Sequence, residues 1–486
     1  MKSTVMRSKL TGSLEMGSLV MEPMVMGSIM TDKITRVLHV ITTLDRGGAE
    51  TFLTRLLKRM DRTAFPSAVI CLSDGGVLAQ NIRQMGIPLL MAGIRKGRTS
   101  SSPVSSASSS SPSSPDFNTS PASAYSASCT DIFSPVSGLL RMILFAGRFK
   151  PHVIQTWMYH ADLAGTLLAS TLSPLKKGPA LAWNIRQSSL EPSVNSSSSL
   201  YAARICSALS SLCPDAIISC SGIGAMNHAR FGYDSSKMIL LSNGFDCGEF
   251  NSHNQNRRKV RAELGLSQHD FVMGFLARWD PNKDHHTLLQ AMAKLMKKVV
   301  HENAAEQNLV KAEPTPGTAV QTPGTAVHTP KLVLAGRGMN SSNIVLTKML
   351  QQTGTLENVI LLDEVASPAS ILDAMDCYVS SSRFEGFPNS LGEAMTASLP
   401  CIATQAGDSA LLLGETGICL PPSDPERLSA AMHRIFSMSG EKRRIMGSSA
   451  RRRILDCFSM KRVAATYSTV YADLAWRARA RGWTGD

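Results

Sequence analysis

Two glutamates, Glu385 and Glu393, stand eight residues apart in the stretch SSRFEGFPNSLGEAM at 381–395. An apolar run ends just before this stretch and a helical pattern begins inside it, so the Gly-Phe-Pro-Asn-Ser turn joins a strand to a helix. We expect Asn389 or Ser390 to cap that helix, and its first-turn amides would be open to a phosphate. A capping and dipole-compensating pair explains Glu393 but not Glu385. A sugar nucleotide explains both carboxylates, since Glu393 could accept two ribose hydroxyl hydrogens while Glu385 approaches the sugar.

A second group of chemically capable residues lies in ARWDPNKDHHTLLQAM at 277–292, where Arg278 and Lys283 flank a proline-containing turn. A guanidinium and an ammonium beside a helix N-terminus can hold a diphosphate; the alternative is two solvated surface charges. His285 and His286 are adjacent, so they point in different directions on a helix and do not form a metal site. No Asp-x-Asp pair occurs in the chain, and we therefore expect no metal and no bound cofactor.

Gly47 and Gly48 occur in LDRGGAET, directly after the first apolar run and before a helical pattern. Glycines here let the backbone approach a ligand closely, although a tight connection would explain them as well. The spacing is not G-x-G-x-x-G, which disfavours dinucleotide binding.

The elements that must position these residues follow from short apolar runs that alternate with amphipathic helical stretches. Such alternation predicts parallel sheets covered on both faces. The runs form two series, which predict two doubly wound α/β domains at 36–250 and 265–460, joined near 250–265 and facing a central cleft. Residues 461–486 are predicted to form a helix that packs back toward the N-terminal domain. The runs are 36–42, 67–72, 152–157, 181–185, 216–221 and 239–243, then 271–277, 331–336, 359–363, 377–382, 400–404 and 417–421.

Charge and composition limit the partners. The 486 residues carry a formal charge of +13, which suggests nucleic acid, an anionic membrane surface or a phosphorylated substrate. Nucleic acid is disfavoured because the basic residues are spread out and lack interleaved aromatics. The basic stretch EKRRIMGSSARRRI at 441–454 suits an anionic membrane or is a solvated helix face. Ten cysteines without a C-x-x-C pair indicate reduced thiols and a cytoplasmic protein, peripheral at the membrane if the basic stretch binds lipid.

Three segments are expected to be disordered. Residues 1–35 mix Met with Gly, Ser and Pro, and we interpret them as a leader. Residues 99–137 are dominated by Ser, Pro and Ala, and residues 302–330 contain a short tandem repeat, TPGTAVQTPGTAV. Such compositions bury too little apolar area to fold by themselves.

The stretch at 381–395 resembles the E-x7-E signature of family 4 of the retaining glycosyltransferases, which have the GT-B fold. The resemblance extends to GGAE after the first run, NGFD at 243–246 and LAGRGM at 334–339. It also includes ARWDPNKDH, which is similar to that family's G-R-x-x-x-x-K-G. It covers about 36–460 apart from the two inserts. TWMYHADLAG and WNIRQSS look like the subgroup that assembles bacterial surface polysaccharides.

The resemblance implies roles for individual residues. Arg278 and Lys283 would hold the donor diphosphate, Glu393 the ribose hydroxyls, and Glu385 the donor sugar. Gly47 and Gly48 would lie against the donor from the N-terminal side. Backbone groups of the turn between Glu385 and Glu393 would bind sugar hydroxyls and phosphate: Phe387, Pro388, Asn389, Ser390 and Leu391.

The N-terminal domain has less certain counterparts in the family. His160 would line the acceptor side of the cleft. Arg186 stands where many members have a histidine, and it could contact phosphate or acceptor, as could Asn243. Asp284 replaces the usual glycine after Lys283.

The implied activity is transfer of a hexosyl-type sugar, with retention, from a nucleotide-diphosphate sugar to a hydroxyl acceptor, with a lipid-linked glycan as one candidate. Two alternatives stay open. A nucleotide-sugar epimerase with the GT-B fold would act without any acceptor, and a catalytically silent glycan-binding homologue would release no nucleotide.

Overall fold

The computed structural model describes residues 34–94, 135–173, 177–192, 195–248, 250, 254–312, 329–365 and 367–485. Within them the chain forms two parallel sheets, of seven and six strands. The predicted fold class is therefore confirmed: two doubly wound α/β domains. None of the helices in these ranges is both long and apolar enough to cross a bilayer.

The N-terminal sheet has the strand order β3-β2-β1-β4-β5-β6-β7. Its strands are β1 (Val37–Ile41), β2 (Ser67–Cys71), β3 (Leu89–Met91), β4 (Val153–Trp157), β5 (Ala180–Ile185), β6 (Ala216–Ser219) and β7 (Met238–Leu240). Its helices are α1 (Gly48–Arg59), α2 (Ala79–Gln84), α3 (Pro135–Phe149), α4 (Tyr159–Leu172), α5 (Ser197–Leu209) and α6 (Gly222–Phe231). Every strand of this sheet pairs in parallel, so all its carboxyl ends meet at one edge.

The C-terminal sheet has the order β10-β9-β8-β11-β12-β13. Its strands are β8 (Val272–Leu276), β9 (Lys331–Ala335), β10 (Val359–Leu362), β11 (Cys377–Ser380), β12 (Cys401–Thr404) and β13 (Ile418–Leu420). The helices are α7 (Asn254–Glu263), α8 (His285–Ala312), α9 (Ile344–Thr353), α10 (Pro368–Ala374), α11 (Asn389–Thr396), α12 (Ser409–Leu413), α13 (Pro425–Phe436), α14 (Gly440–Cys457) and α15 (Met460–Ala480). β8 and β11 are neighbours, which brings the loops after them together.

All twelve predicted runs overlap a strand. The edge strand β3 was missed because Leu89–Met91 is only three residues long and directly follows Pro88, a residue typical of strand edges and ends.

Helix α15 crosses back to the N-terminal domain. Tyr467 and Tyr471 are fully buried there, in the same core cluster as Phe52 and Trp157. The crossing is held by backbone hydrogen bonds from Phe245 to Phe458 and from Met460 to Phe245. The last helix of the chain thus ties the two domains together.

The predicted boundaries shift at three places. The basic segment 254–263, which we interpreted as part of the linker, is helix α7 of the C-terminal domain, because Arg257 and Arg261 both pair with Asp376, at 2.6 and 2.7 Å. Residues 135–137 of one predicted insert begin α3, and residues 302–312 of the other are the last turns of α8. Residues 302–312 contain no Gly or Pro and so can continue a helix, and Pro135 is the first residue of α3, where proline is tolerated. The remainder of both inserts, and the leader up to residue 33, lie outside the described residues.

Candidate active site

Lys283 and Glu385 form an ion pair at the carboxyl edge of the C-terminal sheet. Lys283 ends the short 3-10 turn Pro281–Lys283 that follows β8, and Glu385 lies in the loop that follows β11. Lys283 Nζ is 2.6 Å from Glu385 Oε1, and Ser382 Oγ donates to the same oxygen at 2.8 Å. The two side chains are only 18% and 12% exposed. The pair is therefore shielded enough for its charges to act strongly on a ligand in the cleft.

The predicted cap of α11 is wrong. The N-cap is Pro388, and no side chain of the described residues caps the helix. Asn389 Oδ1 instead accepts a hydrogen bond from Asn243 Nδ2 at 2.6 Å, and Ser390 Oγ accepts one from the Tyr378 hydroxyl at 2.7 Å. Because other residues engage these two side chains, neither side chain accepts a hydrogen bond from the first-turn amides of α11. These amides lie at the positive end of the helix dipole.

Glu393 lies one turn into α11 and contacts the N-terminal domain. Its Oε1 is 2.9 Å from Arg55 Nη2 on α1, and the two side chains are 13% and 16% exposed. Sequence reasoning missed Arg55, since one basic residue on an amphipathic helix gives no functional signal. The contact places a cation opposite the carboxylate that we assigned to ribose hydroxyls.

Gly47 and Gly48 lie where α1 approaches α11. Gly47 is the N-cap of α1, and a Cβ on it would stand 2.3 Å from the Glu50 carboxylate. A Cβ on Gly48 would be 3.3 Å from Asn389 Nδ2. The start of α1 thus faces the start of α11 across the cleft, and glycine permits this close approach.

Arg278 has a different environment from Lys283. Its guanidinium donates two hydrogen bonds to Asp280 Oδ2, at 3.0 and 2.6 Å, and the side chain is 65% exposed. Arg278 is therefore paired within its own loop and largely exposed.

Arg186 and Asn243 form a hydrogen-bonded chain that reaches the other domain. Arg186 Nη2 donates to Asn243 Oδ1 at 2.5 Å, and Asn243 donates to Asn389 as described above. The Arg186 guanidinium lies 4.1 Å from the centre of the Phe52 ring. Its Nη1 is buried and has no hydrogen-bond partner among the described residues. The guanidinium also interacts with the Tyr467 hydroxyl, where it opposes the increase in pKa that burial causes.

His160 occupies the first turn of α4, at the carboxyl end of β4, and is half-buried. The residue before the helix, Met158, has φ 72°, a conformation that L-residues seldom adopt. Next to His160, the Tyr159 hydroxyl is 2.7 Å from His228 Nε2. These constraints fix the start of α4 at the edge of the N-terminal sheet that faces the cleft.

Within the described ranges, no three His, Cys, Asp or Glu side chains converge at the adjacent histidines. His285 stacks on Trp279 with ring centres 5.3 Å apart. Burial lowers its pKa to about 4, with Lys283 adding to the effect. His285 is thus a neutral core residue beside the Lys283 turn.

Two more contacts join the domains. Ser188 Oγ donates to the backbone carbonyl of Glu385. Asp408 Oδ2 accepts from the Gly222 amide at 3.0 Å, at the first residue of α6. Burial raises the pKa of Asp408, while its bonds to the amides of Gly222 and Ile223 oppose the shift. The cleft is thus bridged at several points around Glu385.

The basic stretch 441–454 turns much of its charge inward. Arg443 donates to backbone carbonyls at the end of α13, Arg451 to those of Cys247, Phe250 and Thr396, and Arg453 to those at the end of α12. These guanidinium groups satisfy free carbonyls at helix ends and loops. Three of the six basic residues of the stretch thus have structural partners, whereas Lys442, Arg444 and Arg452 are exposed, and membrane contact there stays a prediction.

Comparison with known proteins shows which proteins this chain is similar to. The family model for glycosyl transferases group 1 matches residues 256–453, which include Arg278, Lys283, Glu385 and Glu393. The capsular polysaccharide biosynthesis glycosyltransferase CapM of Staphylococcus aureus is 22% identical to this chain over 349 residues, 70% of this chain and 81% of CapM. The glycosyltransferase EpsF of Bacillus subtilis, whose own assignment is provisional, is 24% identical over 173 residues, 36% of this chain and 37% of EpsF.

Solved structures show the same fold. The crystal structure of Anabaena Alr3699/HepE in complex with UDP superposes with a TM-score of 0.66 at 17% identity, covering 90% of this chain and 100% of that one. Sucrose-phosphate synthase from Thermosynechococcus elongatus gives 0.62 at 16% identity, covering 91% and 100%. The chain therefore has the GT-B fold of these structures, and its residues 256–453 match the family model for glycosyl transferases group 1.

Proposed function

We propose that the protein transfers a hexosyl-type sugar, with retention of configuration, from a nucleotide-diphosphate sugar to a hydroxyl acceptor in the assembly of a surface polysaccharide or lipid-linked glycan. The observation that carries the proposal is the shielded Lys283–Glu385 pair beside the uncapped N-terminus of α11. This arrangement offers positive charge to a diphosphate and a carboxylate to the sugar next to it.

The donor diphosphate would bind between Lys283 and the first-turn amides of α11. Both are donors that are already fixed by the fold, so little reorganisation is needed when charge develops on the leaving diphosphate. Arg278, which is exposed and paired with Asp280 in its own loop, would turn to the same phosphates. That a protein of this fold binds UDP is shown by HepE, and UDP-glucose is bound in another of its structures.

The ribose would lie against Glu393, where a carboxylate can accept both hydroxyl hydrogens. Arg55 holds this carboxylate from the opposite domain and would either share it with the ribose or give it up. Gly47 and Gly48, close to Asn389, leave room for a nucleotide between α1 and α11. The donor would therefore be enclosed by both domains.

Glu385 would act at the sugar. In the free protein its carboxylate is held by Lys283 and Ser382, and a bound diphosphate would draw Lys283 toward phosphate. The carboxylate would then accept hydrogen bonds from sugar hydroxyls. Retention rests on the E-x7-E signature at Glu385 and Glu393, and proton NMR of the product's anomeric configuration tests it.

The acceptor would enter from the N-terminal side. His160 lies there at the start of α4, and Arg186 presents the buried Nη1 without a described partner. A role in polysaccharide assembly is supported by the relative CapM, a capsular polysaccharide biosynthesis glycosyltransferase. The transfer is proposed to need no bound divalent cation, since Lys283 and the α11 amides supply the positive charge that a metal supplies in other enzymes.

Donor turnover with and without acceptor tests the proposal. The full chain would be incubated with UDP- and GDP-linked hexoses, each with and without polyprenyl-linked glycans, and nucleoside diphosphate release measured. We expect release that depends on acceptor and is lost in Lys283→Ala. Conversion of the donor sugar without acceptor would instead identify an epimerase, and donor binding without release for any acceptor would favour a silent homologue.

A further inference from the structure

The first turn of helix α6 is bonded to both domains. The amides of Gly222 and Ile223 donate to the Asp408 carboxylate of the C-terminal domain, at 3.0 and 3.5 Å. The third amide of the turn, that of Gly224, donates to the Ser221 hydroxyl of its own domain at 2.9 Å. The free amides at the start of α6 are therefore capped partly by the N-terminal domain and partly by the opposite one.

The loop that carries Asp408 packs directly on the peptide of Glu385. The Asp408 amide donates to the Gly386 carbonyl at 3.2 Å. Gly407 has φ 56°, and a Cβ there would lie 2.4 Å from the carbonyl oxygens of both Glu385 and Gly386. Glycine permits this approach and this conformation. Because Gly407 and Asp408 are consecutive, a shift of the Asp408 carboxylate acts on the backbone that presses against Glu385.

A second route joins α6 to the same peptide. The side-chain amide of Asn227, on the second turn of α6, donates to the Ser188 carbonyl at 2.9 Å. The Ser188 hydroxyl in turn donates to the backbone carbonyl of Glu385. One helix of the N-terminal domain thus reaches Glu385 through two separate sets of hydrogen bonds.

Helix α6 also fixes the start of α4. His228 Nδ1 lies 2.7 Å from the Gly224 carbonyl, which can only accept, so Nδ1 donates and Nε2 accepts from the Tyr159 hydroxyl at 2.7 Å. Burial lowers the pKa of His228 to about 4, which keeps the ring neutral near pH 7. Tyr159 is the first residue of α4 and directly precedes His160. α6 therefore connects the residues assigned to the acceptor with the peptide of Glu385.

We propose that Asp408 is a positioning residue for glycosyl transfer: its cap on α6 sets the acceptor side of the N-terminal domain against Glu385. The inference rests on the proposed function and assigns Asp408 to the transfer step. Donor binding does not need this cap, since Lys283 and Ser382, which hold the Glu385 carboxylate, belong to the C-terminal domain. Transfer does need it, because the acceptor hydroxyl must be aligned with the donor sugar before it can react.

Kinetics of the full chain test the positioning role, with the UDP- or GDP-linked hexose and polyprenyl-linked glycan that wild type turns over. Asp408→Ala should lower kcat about ten- to hundredfold, while the calorimetric Kd of the donor stays within about twofold of wild type. Asp408→Asn keeps one acceptor oxygen for the α6 amides and should restore kcat to within about fivefold of wild type.

The matched control is Asp424→Ala. Asp424 caps α13 within the C-terminal domain, where its carboxylate accepts from the Arg427 amide at 2.9 Å. Its loss should leave kcat at the wild-type value. Ser188→Ala interrupts the second route and should lower kcat about three- to tenfold, which keeps the proposal testable if Asp408→Ala does not fold. Equal losses of kcat in the Asp408 and Asp424 variants, or a weaker donor Kd that accounts for the whole loss, would overturn the positioning role.

Hydrogen exchange measured by mass spectrometry gives a readout that does not depend on turnover. In Asp408→Ala, amides of the first turn of α6 and of residues 385–387 should exchange about tenfold or more faster than in wild type. Both segments should exchange at the wild-type rate in Asp424→Ala. Unchanged exchange at 385–387 in Asp408→Ala would overturn the coupling of Asp408 to Glu385. A wild type without turnover on any donor and acceptor would instead overturn the proposed function and the role in transfer, and the exchange rates would still decide whether the coupling exists.

Discussion

The two walls of the cleft differ in how their polar groups are held. On the C-terminal wall, Lys283, Ser382 and Glu385 hold one another within two adjacent loops. On the N-terminal wall, Arg55 and Asn243 have partners in the opposite domain, Glu393 and Asn389. The first wall can keep its geometry when the domains separate, whereas the second depends on closure. We therefore expect chemistry to be concentrated on the C-terminal wall and closure to be controlled from the N-terminal one.

The largest expected effect is on the C-terminal wall. Lys283→Ala should lower kcat about 10²–10³-fold, because it removes a fixed positive charge from the leaving diphosphate. Donor affinity should fall less, since the diphosphate gains charge only in the transition state. Steady-state kinetics measure the changes in kcat and in KM separately. Lys294→Ala, at an exposed pair with Glu426, is the matched control, and a larger change in KM than in kcat would assign Lys283 to binding alone.

A smaller effect is expected where the two walls meet at Glu393. Glu393→Gln should weaken donor binding about ten- to hundredfold, because charge-assisted hydrogen bonds to the ribose are lost. Calorimetric titration measures this. If Glu393 served only to pair with Arg55, the free energy of unfolding would fall and the donor affinity would stay at the wild-type value. Arg55→Met separates the ribose-binding role of Glu393 from its pairing with Arg55. Combining this variant with Glu393→Gln gives the coupling energy between the two side chains.

On the N-terminal wall, Asn243→Ala should weaken donor binding by about 0.5–1.5 kcal/mol, a few-fold to about tenfold, since one interdomain hydrogen bond is lost. Titration of the donor is again the measurement. Asn340→Ala, whose amide bonds to Asp363 within the C-terminal domain, is the control and should not alter affinity. An effect of Asn243→Ala as large as that of Glu393→Gln would contradict the distinction between the walls.

The smallest expected effect is that of removing metal ions. Turnover with excess EDTA should stay within about twofold of the untreated rate, because Lys283 and helix amides supply the positive charge. Restoration of a lost rate by Mg²⁺ or Mn²⁺ would show that the C-terminal wall is incomplete without a cation.

The sequence predicts the C-terminal wall better than the N-terminal one, for a physical reason. Glu385, Lys283 and the start of α11 follow strand ends that a parallel sheet must bring to one edge, so local patterns suffice. The Arg55–Glu393 contact joins residues of two domains, and no local spacing encodes it. The predicted cap by Asn389 failed for the same reason, since its partner Asn243 comes from the other domain. Ser390 is instead engaged by Tyr378 of the neighbouring strand β11. The roles assigned to His160 and Arg186 stay predictions.

Binding of nucleotide-sugar donors to paired variants tests the central claim most directly. UDP- and GDP-linked hexoses would be titrated calorimetrically into wild type, Glu393→Gln and Arg452→Gln, the last an exposed site on α14. We predict saturable binding of at least one donor to wild type and to Arg452→Gln, with binding about ten- to hundredfold weaker in Glu393→Gln. Equal donor affinity in all three proteins, or no binding of any donor to wild type, would contradict a nucleotide-sugar site in this cleft.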